Sequence, residues 1–440
     1  MLYVFALILS LAFIVLGIVR WKIHPFFVLF IAAIGYGFIT GMGVPDILNA
    51  INEGFGGLMG KIGLIIFFGV VIGTVLEKSG GAMVIAEKMI HVIGEKSIHL
   101  AMLLTGYLMS IPVFADSAFI MMNSLNKALS QRAKKSYAGT SVALGLGLFA
   151  THVMVPPTPG PIAAAGILKA DLGNVILWGI IVSSIALVPS YFFATKIASK
   201  TKIPIFLENV KEKGYRPKLW ISLLSILVPI FLIVLKSVFD YPDAHLTSNV
   251  LYPPISFLGT PVIALLLGVA LSLMLPKKLD ERVYSATGWF GEALKSAAPI
   301  ILITGAGGVF GKMLQSSGIA ELITENFSDL SIGLFLPFLL AACLKTTQGS
   351  STVALITTAS IIAPIMPALG LDSTMMTTMT VLAIGAGSLV VSHANDSFFW
   401  VFTQLTGMDV KQGNKTLTLG TLVLGVSAIC VIYLISVFVN

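Results

Sequence analysis

The chain has 440 residues, of which 56% are hydrophobic and only 11% are charged, and its mean hydropathy is +0.96. A soluble domain carries about 25% charged residues because its surface faces water, so this composition excludes an ordinary soluble protein. Apolar runs at 2–19 and 416–439 are long enough to cross the core of a bilayer as helices. The composition therefore predicts an all-α polytopic membrane protein.

The net charge of +7 does not predict a nucleic-acid partner, because the basic residues lie in short segments between apolar runs, where membrane orientation explains them. Cys343 and Cys430 both lie in apolar runs, so neither a disulfide framework nor a thiolate metal site is expected. The first segment has Arg20 and Lys22 after its apolar stretch and no basic residue before it. This order is the reverse of a secretory signal and predicts a retained first helix.

The positions of Lys and Arg predict the topology, because cytoplasmic loops carry an excess of both. The strongest internal signal is the stretch 196–218, in which seven basic residues accompany two glutamates. Threading the chain from this stretch predicts about ten spans and two re-entrant hairpins, with both termini external. A loop that holds Asp46 and Glu53 is then external and precedes a third helix at 62–77. Five of the 27 basic residues fall outside the internal segments: Lys61, Lys169, Lys236, Lys312 and Lys345.

Residues in the third predicted helix and just after it match residues in the ninth at a constant offset of 238. A broken apolar segment at 98–126 likewise matches one at 331–366, and a helix broken by polar residues at 138–168 matches one at 375–406. The order of features is the same in both halves and predicts an internal repeat. The residues matched at the constant offset are Gly69 with Gly307, Gly73 with Gly311, Leu76 with Leu314, Ser79 with Ser317 and Gly80 with Gly318.

An odd number of crossings in each half turns the second half upside down relative to the first. The sequence therefore predicts an inverted repeat, with its halves at 1–200 and 219–440 and a cytoplasmic linker at 201–218. An inverted repeat allows a membrane protein to expose one midplane site to each side in turn. This architecture favours a transporter over an anion channel or a membrane enzyme.

Four polar interruptions lie at membrane depth. The turns of the two hairpins fall at 110–117 and 346–352. The two broken helices are interrupted at 151–161, where four prolines prevent a continuous helix, and at 392–397. Two hairpin tips and two broken helices in corresponding positions of inverted halves indicate a transporter site.

An ionisable residue inside a membrane is a functional candidate because its burial is costly. We expect Asp116 to carry a coupling proton, with His152 and Asp396 as further candidates, since burial and nearby charges together determine whether such a group is protonated. Each of these residues also has a structural explanation. In that alternative, Asp116 pairs with Lys345 across the two tips and Asp396 caps the short helix that follows it. His152 and His393 would then be buried donors that hold the broken helices together.

These motifs resemble the gluconate permease family of proton symporters over nearly the whole chain. The likeness lies at 69–81, 111–116, 150–161 and 392–400, and the Pro-Pro-Thr-Pro-Gly-Pro string inside the third of these segments is the most specific part. The resemblance implies a homodimer in a bacterial cytoplasmic membrane, with a scaffold domain and a mobile, elevator-like domain built from the two hairpins and the two broken helices. Family members carry gluconate and related hydroxy acids such as glycerate or idonate, and one branch carries D-serine.

The resemblance also implies an anion site between the hairpin tips and the broken helices. We further expect Lys345 to steer the anion. Hydroxyl, amide and imidazole groups there donate to a carboxylate and exchange hydrogen bonds with sugar hydroxyls. The paired Ser-Asn-Thr tips of sodium-coupled relatives are absent, so a proton is the favoured coupling ion, and neither a metal ion nor a cofactor is expected. The implied substrate-binding residues are Asp116, Ser117, Thr158, Pro159, Gly160, Gln348, Gly349, Ser350, Ser351, Thr352, His393, Asn395 and Ser397.

The sequence thus predicts a secondary active transporter that imports gluconate or a related sugar acid by proton symport. Its expected partners are a small organic anion, a proton and the lipid bilayer. A permease for D-serine or a short hydroxy acid is the alternative within the same class, and an anion channel is an alternative outside it. An intramembrane enzyme is disfavoured, because the motifs His-Glu-x-x-His and Gly-x-Ser-x-Gly are absent.

Overall fold

The computed structural model describes residues 2–203, 215–240, 246–317, 333–394 and 396–439. Within these ranges the secondary structure is helical and no strand occurs. The prediction of an all-α protein is therefore confirmed. Most of the predicted linker lies outside the described residues, as do Gly318, the first two residues of the second predicted hairpin and Asn395.

The N-terminal half begins with three apolar helices and continues with shorter ones. These helices are α1 (Leu2–Val19), α2 (Pro25–Ile39), α3 (Val44–Ser79), α4 (Gly81–Ile93), α5 (Ile98–Met109), α6 (Ala115–Arg132), α7 (Tyr137–His152), α8 (Pro159–Leu168) and α9 (Leu172–Phe192). The apolar run at the start of the chain forms α1 with the predicted bounds. A π-helical turn at Phe193–Ile197 follows α9.

The C-terminal half has a similar succession of long and short helices. They are α10 (Leu219–Phe239), α11 (Tyr252–Leu258), α12 (Pro261–Ser272), α13 (Glu281–Tyr284), α14 (Trp289–Ser316), α15 (Phe335–Gln348), α16 (Ser351–Ile362), α17 (Thr374–Gly387), α18 (Ser397–Thr406), α19 (Val410–Gly413) and α20 (Leu419–Val439). A second π-helical turn, Asn414–Thr418, precedes α20.

The helix is interrupted at all four places where the sequence predicts a break. Pro112 lies in the turn between α5 and α6, and a proline-rich stretch separates α7 from α8. Gly349 ends α15 with φ of 84°, the left-handed conformation that favours glycine. A polar stretch separates α17 from α18. The two discontinuous helices are thus present, whereas the re-entrant course of the two hairpins stays a prediction.

The predicted loop around Asp46 and Glu53 is wrong, because both residues lie in α3, which begins at Val44. Pro45 suits the first turn of a helix, where its missing N–H would have no partner, and Asp46 there interacts favourably with the helix dipole. Both acidic side chains are exposed, which one face of a helix allows. With 36 residues, α3 is about 54 Å long, well beyond the thickness of a hydrocarbon core.

The chain is a multi-span membrane protein. Within the described residues, five helical segments are long and apolar enough to cross a membrane, and a sixth is added if α11 and α12, bent by 66° from each other, form one span. Shorter apolar helices such as α2, α5, α8 and α17 add further hydrophobic length. The predicted number of ten spans and the inverted repeat stay predictions.

Two sets of contacts position the interruptions relative to one another. α3 packs along α14, and their backbones touch where a Cβ on Gly54 would lie 2.7 Å from the carbonyl oxygen of Gly308. In the remaining bundle, α6 packs against α18 and α16 packs against α8. Each hairpin therefore contacts the broken helix of the other half of the chain, which brings all four interruptions into one region.

Candidate functional site

Asp116 lies at the start of α6, in its first turn. Its Oδ1 atom is buried and has no hydrogen-bond partner among the described residues. Backbone N–H groups and the positive end of the helix dipole favour negative charge at this position. Since buried polar atoms in proteins are almost always paired, an unpaired carboxylate oxygen here has capacity for a proton or a ligand.

Lys345 lies in the last turn of α15 and its side chain is only 1% exposed. Its Nζ donates to the carbonyl oxygen of Gly349 at 2.9 Å and to Oδ2 of Asp396 at 2.5 Å. The same ammonium group lies 5.8 Å from the centre of the Phe149 ring. The structural alternative in which Lys345 pairs with Asp116 is therefore wrong, because Asp396 is the carboxylate that contacts Nζ.

Asp396 combines two structural roles. Its Oδ1 accepts a hydrogen bond from the backbone N–H of Phe398 at 3.0 Å, which makes it the N-cap of α18. Its Oδ2 accepts from Lys345 and from the hydroxyl of Ser392. The alternative in which Asp396 caps the following helix is thus confirmed, and the second tip is joined to the break before α18 by an ion pair.

The two histidines have different surroundings. His393 donates from Nε2 to the carbonyl oxygen of Thr346 at 2.8 Å, which agrees with a role in holding the second tip against the broken helix. His152 ends α7, and its Nδ1 is buried without a hydrogen-bond partner in the described part of the chain. The His152 ring contacts the Phe114 ring edge to face, with 6.0 Å between the ring centres. Of the two, His152 therefore retains free hydrogen-bonding capacity.

The predicted ionisable residues converge on one region of the structure. Asp116 interacts electrostatically with Asp396 and with Lys345. His152 interacts with the same two residues. Because Asp116 and His152 come from one half of the chain and Lys345 and Asp396 from the other, the site is assembled from both halves.

The remaining predicted residues of the first half lie beside this group. Thr158 is the N-cap residue of α8, and its hydroxyl donates to the carbonyl oxygen of Val155 at 2.8 Å. Pro159 and Gly160 form the buried first turn of α8. A Cβ on Gly160 would lie 3.7 Å from the Cα of Thr352, so the start of α8 packs directly on the start of α16.

In the second half, the tip supplies several polar groups. Ser350 caps α16 by accepting from the backbone N–H of Val353 at 3.4 Å, and the Ser351 hydroxyl donates to the carbonyl oxygen of Ser388 at 2.9 Å. The Nε2 atom of Gln348 is buried without a partner among the described residues. Ser397, the first residue of α18, is exposed.

Sequence reasoning did not identify Glu77 as a residue of this region. Glu77 lies near the end of α3, is partly buried and interacts with the side chain of Ser117 beside the first tip. One turn earlier, Gly73 is so close to the tip that a Cβ there would lie 1.9 Å from the carbonyl oxygen of Pro112. The available signal was the position of both residues in the segment 69–81, one of those that carry the family resemblance.

Comparison with known proteins places the chain in a family. Residues 2–438 match the family described as GntP family permease. The chain is 36% identical to an uncharacterized permease of Haemophilus influenzae over 93% of this chain and 87% of that protein. It is 34% identical to a gluconate permease of Pseudomonas aeruginosa over 98% of this chain and 96% of that protein. Among solved structures, the YdaH transporter of Alcanivorax borkumensis is similar in fold, with a TM-score of 0.66 at 12% identity over 90% of this chain and 89% of that one.

Proposed function

The chain belongs to the GntP family of permeases, and from this membership we propose that it imports gluconate or a related sugar acid together with a proton. It is a membrane transporter rather than an enzyme. One observation carries the proposal. Buried polar atoms of Asp116, His152 and Gln348 lack partners in the described structure, at the place where the four interruptions meet. A ligand that brings a carboxylate and hydroxyl groups would satisfy these atoms.

The substrate carboxylate has a suitable position between the two tips. α6 and α16 both begin there, and helix N-termini attract anions through their free N–H groups and the helix dipole. The Gln348 amide, the Ser350 hydroxyl and the His152 ring can exchange hydrogen bonds with hydroxyl groups of the substrate. A sugar acid combines both kinds of group in one small molecule.

The charges in this region support the proposed proton coupling. Asp396 contacts the ammonium group of Lys345, and Asp116 interacts electrostatically with the same group without contacting it. A substrate anion adds a further negative charge to this buried site, where unpaired charge is costly. A proton bound at Asp116 offsets that charge, so anion and proton would be carried together. His152 and Asp396 remain further candidates for the same role.

For the transport step we propose alternating access of the elevator type. The two hairpins and the two broken helices would form the moving domain, and the helices around α3 and α14 the scaffold. The cross-contacts of α6 with α18 and of α16 with α8 support a single moving unit. An inverted repeat with external termini, a homodimer and a location in a bacterial cytoplasmic membrane complete the proposal.

The proposal is tested by uptake of labelled gluconate into proteoliposomes with an imposed pH gradient and, separately, with an imposed sodium gradient. Accumulation above the external concentration with the pH gradient alone is the expected result. Equilibration without accumulation would indicate a channel. No uptake under either gradient would exclude gluconate as the substrate, and competition by glycerate, idonate and D-serine identifies the related acid that binds.

A further inference from the structure

A cavity of about 890 Å³ lies beside the α3–α14 pair, at the ends of α8 and α16 that are remote from the tips. Its walls come from the N-terminal half of α3, the C-terminal half of α14 and the start of α17. The site residues Pro159 and Ser351 lie at the other ends of α8 and α16, about 15 Å away along each helix axis. The cavity is therefore separate from the site described above.

Lysines that violate the positive-inside rule collect in this cavity. The predicted topology leaves five lysines outside the internal segments, and Lys61, Lys169 and Lys312 all line the cavity. The other two have carboxylate partners elsewhere, since Lys236 pairs with Asp240 and Lys345 with Asp396. A lysine on the external side is disfavoured by the charge bias of membrane insertion, so this clustering requires another explanation.

Ion pairing does not account for two of the three lysines. Lys312 contacts Glu53, with 2.9 Å between Nζ and Oε2. Lys61 and Lys169 have no ion pair within the part of the chain that the structure describes, and both are exposed to the cavity. Their ammonium groups are therefore available to a ligand.

The carboxylates of the cavity do not neutralise these two lysines by contact. Glu53 is taken by Lys312. Asp171 serves as the N-cap of α9, where its Oδ1 accepts from the backbone N–H of Asn174 at 2.8 Å. Asp372 is the third carboxylate and is exposed. The walls thus carry three lysines and three carboxylates, and among them only Lys312 and Glu53 form an ion pair in the described part of the chain. Lys61 and Lys169 therefore keep free ammonium groups although the summed charge of the lining is zero.

The wall formed by α14 leaves room for a ligand because it is lined by glycine. Gly307, Gly308 and Gly311 border the cavity, and a Cβ on Gly311 would meet nothing within 4 Å. Its counterpart at the offset of 238 is Gly73, where a Cβ would overlap the carbonyl group of Pro112. At matching positions of the predicted repeat, the space beside Gly73 is therefore occupied by the first tip, whereas the space beside Gly311 is free and belongs to the cavity.

We infer that the cavity is a vestibule in which Lys61 and Lys169 bind small organic anions before they reach the site between the tips. The ligand class is a monocarboxylate, whose single charge two ammonium groups bind through charge-assisted hydrogen bonds. On the predicted topology the vestibule opens to the external side. Its place on the uptake route rests on the proposed function, whereas its affinity for anions does not.

The charge preference of the vestibule is measured with thiol reagents that need no transport. In a background with Cys343→Ser and Cys430→Ser, Gln315→Cys places one thiol in the cavity wall. Its rate of modification by the anionic 2-sulfonatoethyl methanethiosulfonate is divided by its rate with the cationic trimethylammonium analogue. Changing Lys61 and Lys169 to Gln should lower this ratio about tenfold at low ionic strength and much less at about 1 M salt.

Two controls keep this test decisive. Lys236→Gln removes an external lysine that does not line the cavity, and it should leave the ratio unchanged. Gly57→Cys provides a second reporter in the wall, because a Cβ there meets nothing within 4 Å. An unchanged ratio in the double variant at both reporters overturns the inference, as does a failure of both thiols to react with either reagent.

Uptake measurements separate the vestibule from the proposed function. In wild-type proteoliposomes that transport gluconate, the Lys61→Gln/Lys169→Gln variant should raise KM severalfold, leave kcat unchanged and weaken the dependence of KM on salt. If the wild type transports no gluconate but the reagent ratio responds as described, the proposed substrate is wrong and the anion vestibule stands. If gluconate is transported while ratio and KM are both unaffected, the vestibule is wrong and the proposed function stands.

Discussion

Replacement of Asp396 by Asn should strongly destabilise the protein, because it removes the carboxylate that faces a buried ammonium group. The side chains of Lys345 and Asp396 are 1% and 5% exposed, with 2.5 Å between Nζ and Oδ2. Asn retains the size of Asp and caps helices equally well, so the substitution isolates the charge. The carbonyl oxygen of Gly349 remains as an acceptor at 2.9 Å, but a neutral group does not replace a counter-ion.

The magnitude follows from the burial of the pair. Removing one partner from a buried ion pair costs about 3–5 kcal/mol, whereas an exposed pair contributes about 0–1 kcal/mol. With almost no exposure on either side, Lys345 and Asp396 belong to the first class. The ratio of folded to unfolded protein should therefore fall by roughly a hundredfold to several thousandfold, at about 1.4 kcal/mol for each factor of ten.

The assay is unfolding in mixed detergent micelles, followed by intrinsic tryptophan fluorescence. Lys236→Met is the matched control, because it breaks the ion pair between Lys236 and Asp240. The side chain of Lys236 is 26% exposed and that of Asp240 is 32% exposed. Its free energy of unfolding should change by less than about 1 kcal/mol. A double variant with Lys345→Met and Asp396→Asn should recover much of the stability, since neither charge is then left unpaired.

An Asp396→Asn protein as stable as the wild type would refute this reasoning, because the ammonium group would then be solvated. The steering role predicted for Lys345 has a different signature. If the amine acts on the substrate, Lys345→Ala raises KM in protein that retains its stability. If the amine is structural, the variant lowers the yield of folded protein instead.

Three further variants test the site and its surroundings. Asp116→Asn should abolish accumulation driven by a pH gradient but retain exchange of labelled for unlabelled substrate. In the wild type, accumulation reaches about tenfold for each pH unit when one proton is carried. Unchanged accumulation in the variant would exclude Asp116 as the proton carrier. Gly73→Ala should lower the free energy of unfolding by about 1–3 kcal/mol, because its Cβ would lie 1.9 Å from the carbonyl oxygen of Pro112. Gly311→Ala, with nothing within 4 Å of its Cβ, should leave stability within about 0.5 kcal/mol of the wild type, and equal losses in both glycine variants would contradict the difference between the two positions.

Much of the helix pattern could be predicted from the sequence, because the signals are local. Proline, glycine and runs of polar residues interrupt apolar segments whatever surrounds them, and all four predicted interruptions separate helices in the structure. Local signals also explain the wrong prediction of a loop at the start of α3. The charged residues Asp46 and Glu53 are typical of a loop, but one face of a helix can expose both.

The partners inside the site could not be predicted in the same way. Both Asp116 and Asp396 lie in interruptions, so sequence position alone gives Lys345 two candidate carboxylates. The choice depends on how α15 packs against α17 and on the direction in which α18 begins, both of which are tertiary features. The interaction of Glu77 with Ser117 likewise joins residues 40 positions apart on different helices.

The packing between the two halves restricts how the proposed moving domain can be displaced. Phe119 on α6 lies 5.4 Å from Phe398 and 5.3 Å from Phe402 on α18, measured between ring centres. On the other side, the start of α8 packs on the start of α16. Displacement of one hairpin alone would open these buried contacts, and loss of buried aromatic and aliphatic packing costs several kcal/mol.

If all four interruptions move together, as proposed, those contacts are kept and the surface that changes lies between the interruptions and the α3–α14 pair. At this surface, the first tip occupies the space beside Gly73 of α3, whereas the space beside Gly311 of α14 is open. If the proposed moving unit leaves Gly73 and approaches Gly311, one close contact is exchanged for another. On this proposal both positions need a residue without a side chain, because a Cβ at either would obstruct one of the two end states.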